Sequence, residues 1–281
     1  MSDWLQAALL GLIQGLTEFL PVSSSGHLVL FQQWLGDSFF AADQSLLFDL
    51  VLHLGTLLPV LWYYRADLLR VVSAWLRPAQ GEASEGGILG WLRADPDRWL
   101  GFLVVVATIP TGLIGVGLKD VFESLFHGVR PVAFALLVTG ALLLATKWRS
   151  GGERTAADLT IGTALLIGIG QGMAITPGIS RSGSTIALAL FLGFHRELAA
   201  RFSFLLSVPA IVGALVLLAK DGITVQGAHA APLLIGFVSS MVVGYLALVM
   251  LVQLVKRGNL HRFTWYVWPL AVVALVWSFA G

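Results

Sequence analysis

The 281-residue chain has no cysteine, which excludes disulfide bonds and thiol chemistry. Charged residues make up only 12%, about half the usual share of a globular domain, and the net charge of +1 argues against nucleic acid as a partner. Residues 1–44 contain no lysine or arginine, so they lack the basic start of a signal peptide. Hydrophobic residues are abundant instead, at 57%, and lie in long runs. The composition therefore predicts one all-α polytopic membrane domain.

Six apolar runs are long enough to cross a bilayer as helices, which takes about 20 residues. The predicted spans are Ser45–Tyr64, Trp99–Leu118, Pro131–Lys147, Ala200–Ala219, Pro232–Val255 and Phe263–Ala280. Two further apolar stretches, Trp4–Leu35 and Leu159–Phe194, are interrupted by polar segments that contain proline. A break at membrane depth must be buried by protein, because lipid cannot satisfy the exposed backbone groups. These two stretches therefore predict re-entrant helical hairpins.

The hairpins and spans occur twice in the same order. We predict two repeats, residues 1–147 and 158–281, each a hairpin followed by three spans, within a single domain of residues 1–281. Both hairpins contain a Gln-Gly pair, at Gln14 and Gln171, followed by a proline, serines and a glycine, although matching them needs a one-residue gap. Three spans are an odd number, so the second repeat enters the membrane inverted relative to the first.

Basic residues predict the orientation. If the N-terminus lies outside, the inner loops hold most of the 17 Lys and Arg residues, as the positive-inside rule requires. These loops are residues 65–98, 147–158, 195–201 and 256–262. The polar insertion Ala66–Asp97 begins with a predicted amphipathic interfacial helix and continues into a flexible loop. The first hairpin then enters from outside and the second from inside, so that their tips meet near the midplane.

The second tip, "TPGISRSGST" (176–185), places Arg181 at membrane depth, which costs ~3 kcal/mol on insertion scales and normally marks a functional site. A guanidinium matches a phosphate or a carboxylate with two parallel hydrogen bonds. Ser184 or Thr185 is the predicted N-cap of a helix that begins near Ile186, and its free N–H groups would favour an anion. The alternative is that Arg181 only pairs with Glu18 to hold the hairpins together.

The first tip is the polar break "PVSSSGH" (21–27), and the residues in and just before it supply groups that complement Arg181. Gln14 and Glu18 are four residues apart and share a helix face. A carboxylate beside an amide oxygen suits a divalent cation such as Mg²⁺ or Ca²⁺, which completes its shell with substrate phosphates and water. Ser23, Ser24 and the nearby His27 are a candidate nucleophile and base, although a lone histidine is more often a capping or core residue.

Two further polar residues, Asp49 and His53, lie four residues apart in the first predicted span. We expect their side chains to pair with each other. The alternative is that they line the way into the site.

The segments "QGLTEFLPVSSSGH" and "PGISRSGST" resemble the two signature segments of the undecaprenyl pyrophosphate phosphatase family of the bacitracin-resistance type. The hydrophobic layout resembles that family over essentially the whole chain. The resemblance implies that Gln14 and Glu18 lie at the metal or pyrophosphate site, that Ser24 is the nucleophile, and that His27 handles a proton. It implies phosphate-binding roles for Ser180, Arg181 and Thr185. We predict that Ser23, Ser182 and Ser184, which lie beside these residues or beside Ser24, also bind the phosphate groups. Gln14 stands where many relatives have glutamate, which leaves one anionic metal ligand fewer.

The implied activity is hydrolysis of a C55 isoprenoid pyrophosphate to the monophosphate carrier and inorganic phosphate. It would recycle the carrier for cell-wall synthesis and give bacitracin resistance. The resemblance also implies the bacterial inner membrane and a site open to the outer side, and it allows a homodimer. A lipid-phosphate transporter or flippase is the main alternative, because inverted repeats suit alternating access, but transport needs no nucleophile. A lipid phosphatase with two histidines around an arginine-rich signature is disfavoured by the wide separation of Arg181 and His195.

Overall fold

A computed structural model describes residues 3–35, 42–78, 87–126, 128–149, 152–220 and 230–280. In these ranges the chain is helical, with one isolated β-bridge between Arg154 and Phe194 and no strand. The α-helices are α1 (Asp3–Phe19), α2 (Ser24–Leu35), α3 (Ala42–Tyr63), α4 (Arg65–Leu76), α5 (Gly87–Arg93), α6 (Pro96–Gly117), α7 (Lys119–Phe126), α8 (Val129–Ala145), α9 (Ile161–Met173), α10 (Arg181–Phe191), α11 (Arg196–Lys220), α12 (Ala230–Lys256) and α13 (Thr264–Ala280).

Each of the six predicted spans coincides with a long helix to within a few residues at its ends. These helices are α3, α6, α8, α11, α12 and α13. Within the described ranges, five of them are long and apolar enough to cross a membrane, α8 and α13 together with the short 3₁₀ turns that adjoin them. Helix α3 passes the same test only together with α4, from which it is bent by 74°. The chain is therefore a multi-pass helical membrane protein.

The polar insertion forms helices α4 and α5, and most of its predicted flexible loop lies outside the described residues. Arg98, near the start of α6, is buried at 3% exposure. Its guanidinium donates to the carbonyl oxygens of Ala74 at 2.8 Å and Trp91 at 2.6 Å. Because these two carbonyls belong to α4 and α5, one buried arginine holds both helices against α6.

Ion pairs join the loops that the sequence places on the inner side. Arg201, near the start of α11, lies 2.7 Å from a carboxylate oxygen of Asp67 in α4. Lys256, at the end of α12, lies 2.8 Å from Glu197 near the start of α11. These contacts bring the loops around α4, α11 and α12 together at one end of the helix bundle.

Four shorter helices form two broken pairs, α1 with α2 and α9 with α10. The first arm of each pair packs on a long helix of the other half of the chain, α1 on α12 and α9 on α6. Gly15 allows the first of these contacts, because a Cβ atom there would lie 2.7 Å from the backbone oxygen of Ser240. Gly172 allows the second, where a Cβ atom would lie 2.8 Å from Ile114. The glycine of each Gln-Gly pair therefore serves close helix packing, as small residues do in membrane bundles.

Candidate active site

The second broken pair resumes as a helix earlier than predicted. Ser180, rather than Ser184 or Thr185, is the N-cap, because its Oγ accepts a hydrogen bond from the backbone N–H of Gly183 at 3.1 Å. The predicted start of this helix was therefore wrong by more than one turn. The consequence is that Arg181 is the first residue of α10, where the free N–H groups and the positive end of the helix lie.

Ser23 caps the helix that follows the first tip, as Ser180 does at the second tip. Its Oγ accepts from the backbone N–H of Gly26 at 3.3 Å, and from the N–H of Gly178, in the other tip, at 3.1 Å. Its φ of 71° is the one positive value at a described residue other than glycine. The hydroxyl predicted to hold phosphate thus caps α2 and joins the two tips. Ser24 occupies at the start of α2 the position that Arg181 occupies at the start of α10.

The two capping serines align the two broken helix pairs with each other without a gap. When Ser23 is matched with Ser180, Gln14 matches Gln171 at the same spacing, and no gap is needed. The gap expected from the sequence was wrong, because it matched the prolines, which lie at different points of the two breaks.

Glu18 is the centre of the site. Its Oε1 accepts from Nη2 of Arg181 at 2.5 Å, and its Oε2 accepts from the hydroxyl of Ser24 at 2.6 Å and from Nε2 of Gln14 at 3.1 Å. Nε2 of His53 lies 3.6 Å from the same Oε2. The Glu18 side chain is only 6% exposed, so the carboxylate is buried among donors. The structure thus brings the two tips together around one carboxylate, as the sequence predicts.

His27 has other partners than Ser24. Its Nδ1 lies 2.7 Å from the carbonyl oxygen of Ser23, and its Nε2 lies 2.8 Å from the hydroxyl of Tyr266 in α13. A carbonyl can only accept, so Nδ1 carries the proton and Nε2 of the neutral ring accepts from the tyrosine. The serine–histidine pair suggested by the sequence is therefore not formed in this structure. Ser24 donates to Glu18 instead.

The other predicted phosphate ligands lie at the start of α10 and are buried: Ser180, Ser182, Ser184 and Thr185. The Thr185 hydroxyl donates to the carbonyl oxygen of Arg181 at 2.9 Å and also contacts the hydroxyl of Ser203 in α11. Ser182 Oγ lies 3.3 Å from the Oγ of Ser180. These contacts position the first turn of α10, and the arginine side chain is the one that reaches Glu18.

Asp49 and His53 do not pair through their side chains as expected. Nδ1 of His53 donates to the backbone oxygen of Asp49 at 2.7 Å, and the Asp49 carboxylate accepts from Gln32 at 3.1 Å. The pairing prediction was wrong because each side chain has a partner on another element. The alternative, that these residues line the way into the site, agrees better with the position of His53 beside Glu18.

Two buried polar atoms at the site have no partner among the described residues, Oε1 of Gln14 and Nη1 of Arg181. Such atoms are rare in native proteins, and a bound ion or ligand is one of the explanations for them. The free acceptor suits a cation and the free N–H suits an anion. Glu18 and Gln14 offer oxygen ligands of the kind that Mg²⁺ and Ca²⁺ take, so they fit a divalent cation. No cluster of three or more His, Cys, Asp or Glu side chains occurs in the described residues, so substrate and water would complete the shell.

Comparison with known proteins agrees with the motifs. The sequence model of the family described as "Bacitracin resistance protein BacA" matches residues 7–273. The chain belongs to the BacA family. Proteins named undecaprenyl-diphosphatase are similar to it over nearly their whole length. That of Methanobrevibacter smithii is 42% identical over 277 residues, covering 98% of both chains. That of Desulfatibacillum aliphaticivorans is 44% identical over 277 residues, and that of Desulfosudis oleivorans is 45% identical over 274 residues, with coverage of 96% or more of each chain.

Two further residues contact the site of this BacA family member: His53, which the sequence analysis placed on the way into it only as an alternative, and Tyr266, which was not assigned to it from the sequence. His53 had a weak signal, since it is a histidine four residues after an aspartate in an apolar helix. Tyr266 had none, because it is one of several aromatic residues at the start of α13. The contact of Tyr266 with His27 joins residues that are 239 positions apart in the sequence, so only the folded protein shows it.

Proposed function

We propose that the chain hydrolyses undecaprenyl pyrophosphate to undecaprenyl phosphate and inorganic phosphate. This reaction recycles the lipid carrier of cell-wall synthesis and gives bacitracin resistance. The observation that carries the proposal is the buried carboxylate of Glu18, which the Ser24 hydroxyl and the Arg181 guanidinium share at 2.6 and 2.5 Å. A hydroxyl, a base and an anion-binding cation are the groups that phosphoryl transfer to a serine needs. The names of the similar proteins support the same substrate.

Glu18 is placed to receive the proton of Ser24. The freed Oγ attacks the terminal phosphorus of the pyrophosphate, the bond from that phosphorus to the bridging oxygen breaks, and undecaprenyl phosphate leaves. Glu18 gives its proton to the departing phosphate or to solvent and then takes a proton from the water that attacks the seryl phosphate. Return of that proton to Oγ of Ser24 restores the hydroxyl as inorganic phosphate leaves. The 2.6 Å hydrogen bond from Ser24 to Glu18 supports this first proton transfer, since a base must lie within hydrogen-bond reach of the proton it takes.

Arg181 is held by Glu18 before the reaction. When the carboxylate takes a proton it loses its charge, and it then binds the guanidinium less strongly. Arg181 is freed for the phosphoryl oxygens at the moment when their charge must be stabilised. Its Nη1, which has no partner among the described residues, offers a donor to the substrate from the start.

Gln14 and Glu18 are the residues that would hold a divalent cation, Mg²⁺ or Ca²⁺. When bound there, the cation neutralises part of the negative charge of the pyrophosphate oxygens. The Oε1 atom of Gln14, which has no partner among the described residues, supports this assignment. A buried acceptor oxygen without a donor is unfavourable unless it binds a cation or a water molecule.

The finer architecture is part of the proposal: six spans and two re-entrant hairpins, α1–α2 and α9–α10, in an inverted repeat of residues 1–147 and 158–281. The packing of α1 on α12 and of α9 on α6 supports it, since in an inverted repeat the first arm of each hairpin is expected to make the same contact with the other half of the chain. The gap-free match of the capping serines, Ser23 and Ser180, supports it too.

We further propose that the protein lies in the bacterial inner membrane with the site open to the outer side. The basic loops that contact one another through Arg201 and Lys256 support a single inner end of the bundle. The isoprenoid tail can then stay in lipid while the pyrophosphate reaches the tips.

The decisive experiment measures phosphate release from a polyprenyl pyrophosphate by the purified protein in detergent. We expect one phosphate per substrate, loss of activity with a chelator, and recovery on addition of Mg²⁺ or Ca²⁺. Glu18→Gln is the matched control, because it keeps the shape of the side chain and removes the base. Intact substrate after incubation with the wild-type protein would exclude hydrolysis and favour a flippase.

A further inference from the structure

Tyr266 is the one residue of α13 that contacts the first tip through a side-chain hydrogen bond among the described residues. Its hydroxyl lies 2.8 Å from Nε2 of His27, and the two rings are nearly parallel, with an interplanar angle of 8° and centroids 5.7 Å apart. Helix α13 carries no charged residue. A phenol in such a helix needs a polar partner, because hydrocarbon offers none, and here the partner is a site histidine.

His27 in turn is hydrogen-bonded to the residue that precedes α2. Both the backbone N–H of His27, at 3.1 Å, and its Nδ1, at 2.7 Å, bond to the carbonyl oxygen of Ser23. Ser23 has the left-handed conformation with φ of 71°, which is costly for a residue with a side chain. The imidazole therefore helps to hold the peptide that precedes Ser24, and Tyr266 holds the other side of the imidazole.

We propose that Tyr266 is a positioning residue of this site: by donating to Nε2 it keeps His27 in the Nδ1–H tautomer, bonded to Ser23, and so orients Ser24 toward Glu18. The proposal rests on the proposed phosphatase function. A purely packing role for the tyrosine would need the ring and not the hydroxyl, so the two roles predict different effects of Tyr266→Phe.

The first test is spectroscopic and needs no activity. The chain has six histidines, and ¹⁵N-histidine NMR above neutral pH, with His27→Asn to assign the signal, reports both ring nitrogens. We expect a protonated Nδ1 and an unprotonated, hydrogen-bonded Nε2 in the wild-type protein. In Tyr266→Phe the Nε2 resonance should move, because its donor is gone. A protonated Nε2 in the wild-type protein would overturn the proposal even if no variant folds, and so would an Nε2 resonance that the substitution leaves in place.

The second test is kinetic. In Tyr266→Phe we expect kcat for phosphate release to fall about tenfold, the effect of losing one neutral hydrogen bond, while KM stays within about twofold. Tyr245→Phe is the matched control, a tyrosine of similar exposure on α12, and should leave both constants unchanged. Wild-type kcat in Tyr266→Phe would overturn the proposal. If the wild-type protein itself releases no phosphate, the proposed function fails, and the NMR result still decides whether the tyrosine holds the histidine.

Discussion

Glu18 accepts hydrogen bonds from three residues of the site, Ser24, Gln14 and Arg181, and this sharing explains why each of them lies where it does. A buried carboxylate without donors would be very unfavourable at membrane depth. The same donors are the groups that the proposed reaction uses. At the scale of single residues, the contacts that stabilise the Glu18 carboxylate are therefore made by the groups that the proposed reaction uses.

Arg181→Lys is expected to lower kcat/KM for phosphate release roughly 100-fold, although the charge is kept. A lysine has a single ammonium group and cannot bind Glu18 and the substrate through separate nitrogens of one planar fork. The assay is phosphate release in detergent over a range of substrate concentrations. Arg149→Lys, at an exposed position outside the site, is the control. Near-normal turnover by Arg181→Lys would contradict the role given to the guanidinium.

Ser24→Ala is expected to lower kcat by about 1,000-fold or more while substrate binding is largely kept, because the attacking oxygen is lost and the charged groups remain. Ser25→Ala, at the next residue, is the control and should stay active, since the Ser25 hydroxyl contacts Ser23 and not Glu18. Phosphate release is measured together with binding of a non-hydrolysable pyrophosphate analogue. Activity in Ser24→Ala would point to an activated water or to His27 as the attacking group.

At the scale of elements, the long apolar runs were enough to predict six helices, since membrane thickness fixes their length. The short polar breaks were harder. Several hydroxyls at the second tip could cap a helix, and the local sequence does not rank them. Ser180 is the cap because its backbone N–H donates to the hydroxyl of Thr139 in α8, at 3.1 Å, and this contact fixes its position. The choice depends on a neighbouring helix, and the sequence-based prediction of the helix start was wrong for that reason.

Gly15→Ala tests the packing of α1 on α12. The added methyl group would lie 2.7 Å from the Ser240 carbonyl oxygen and 2.8 Å from the backbone nitrogen of Gly244, so the helices must separate. We expect a loss of about 1–3 kcal/mol of stability, seen as a lower thermal unfolding temperature in detergent. Gly112→Ala is the matched control, because a Cβ there would have no neighbour within 4 Å outside the surrounding backbone of its own helix. An equal effect of both substitutions would mean that close packing at Gly15 is unimportant.

At the scale of the whole molecule, the orientation in the membrane can be tested directly because the chain has no cysteine. Single cysteines can be introduced without background, Glu123→Cys in the predicted outer segment and Arg149→Cys in a predicted inner loop. We expect a membrane-impermeant maleimide to label the first in intact cells and the second only after permeabilisation. The reverse pattern would place the basic loops outside and contradict an outward-open site.

The sequence by itself determined the class of protein, the long helices, the family and the prediction that Glu18 and Arg181 share one pocket. Composition and helix length follow from the bilayer, and an arginine at membrane depth needs a carboxylate or phosphate partner. Only the tertiary structure decided the rest. In the folded protein Ser24 is hydrogen-bonded to Glu18, and His27 is hydrogen-bonded to Tyr266. Ser23 and Ser180 cap the helices that follow them. The physical reason is that a hydroxyl or an imidazole can satisfy its hydrogen bonds in several ways, and the choice depends on which groups distant helices bring within 3 Å.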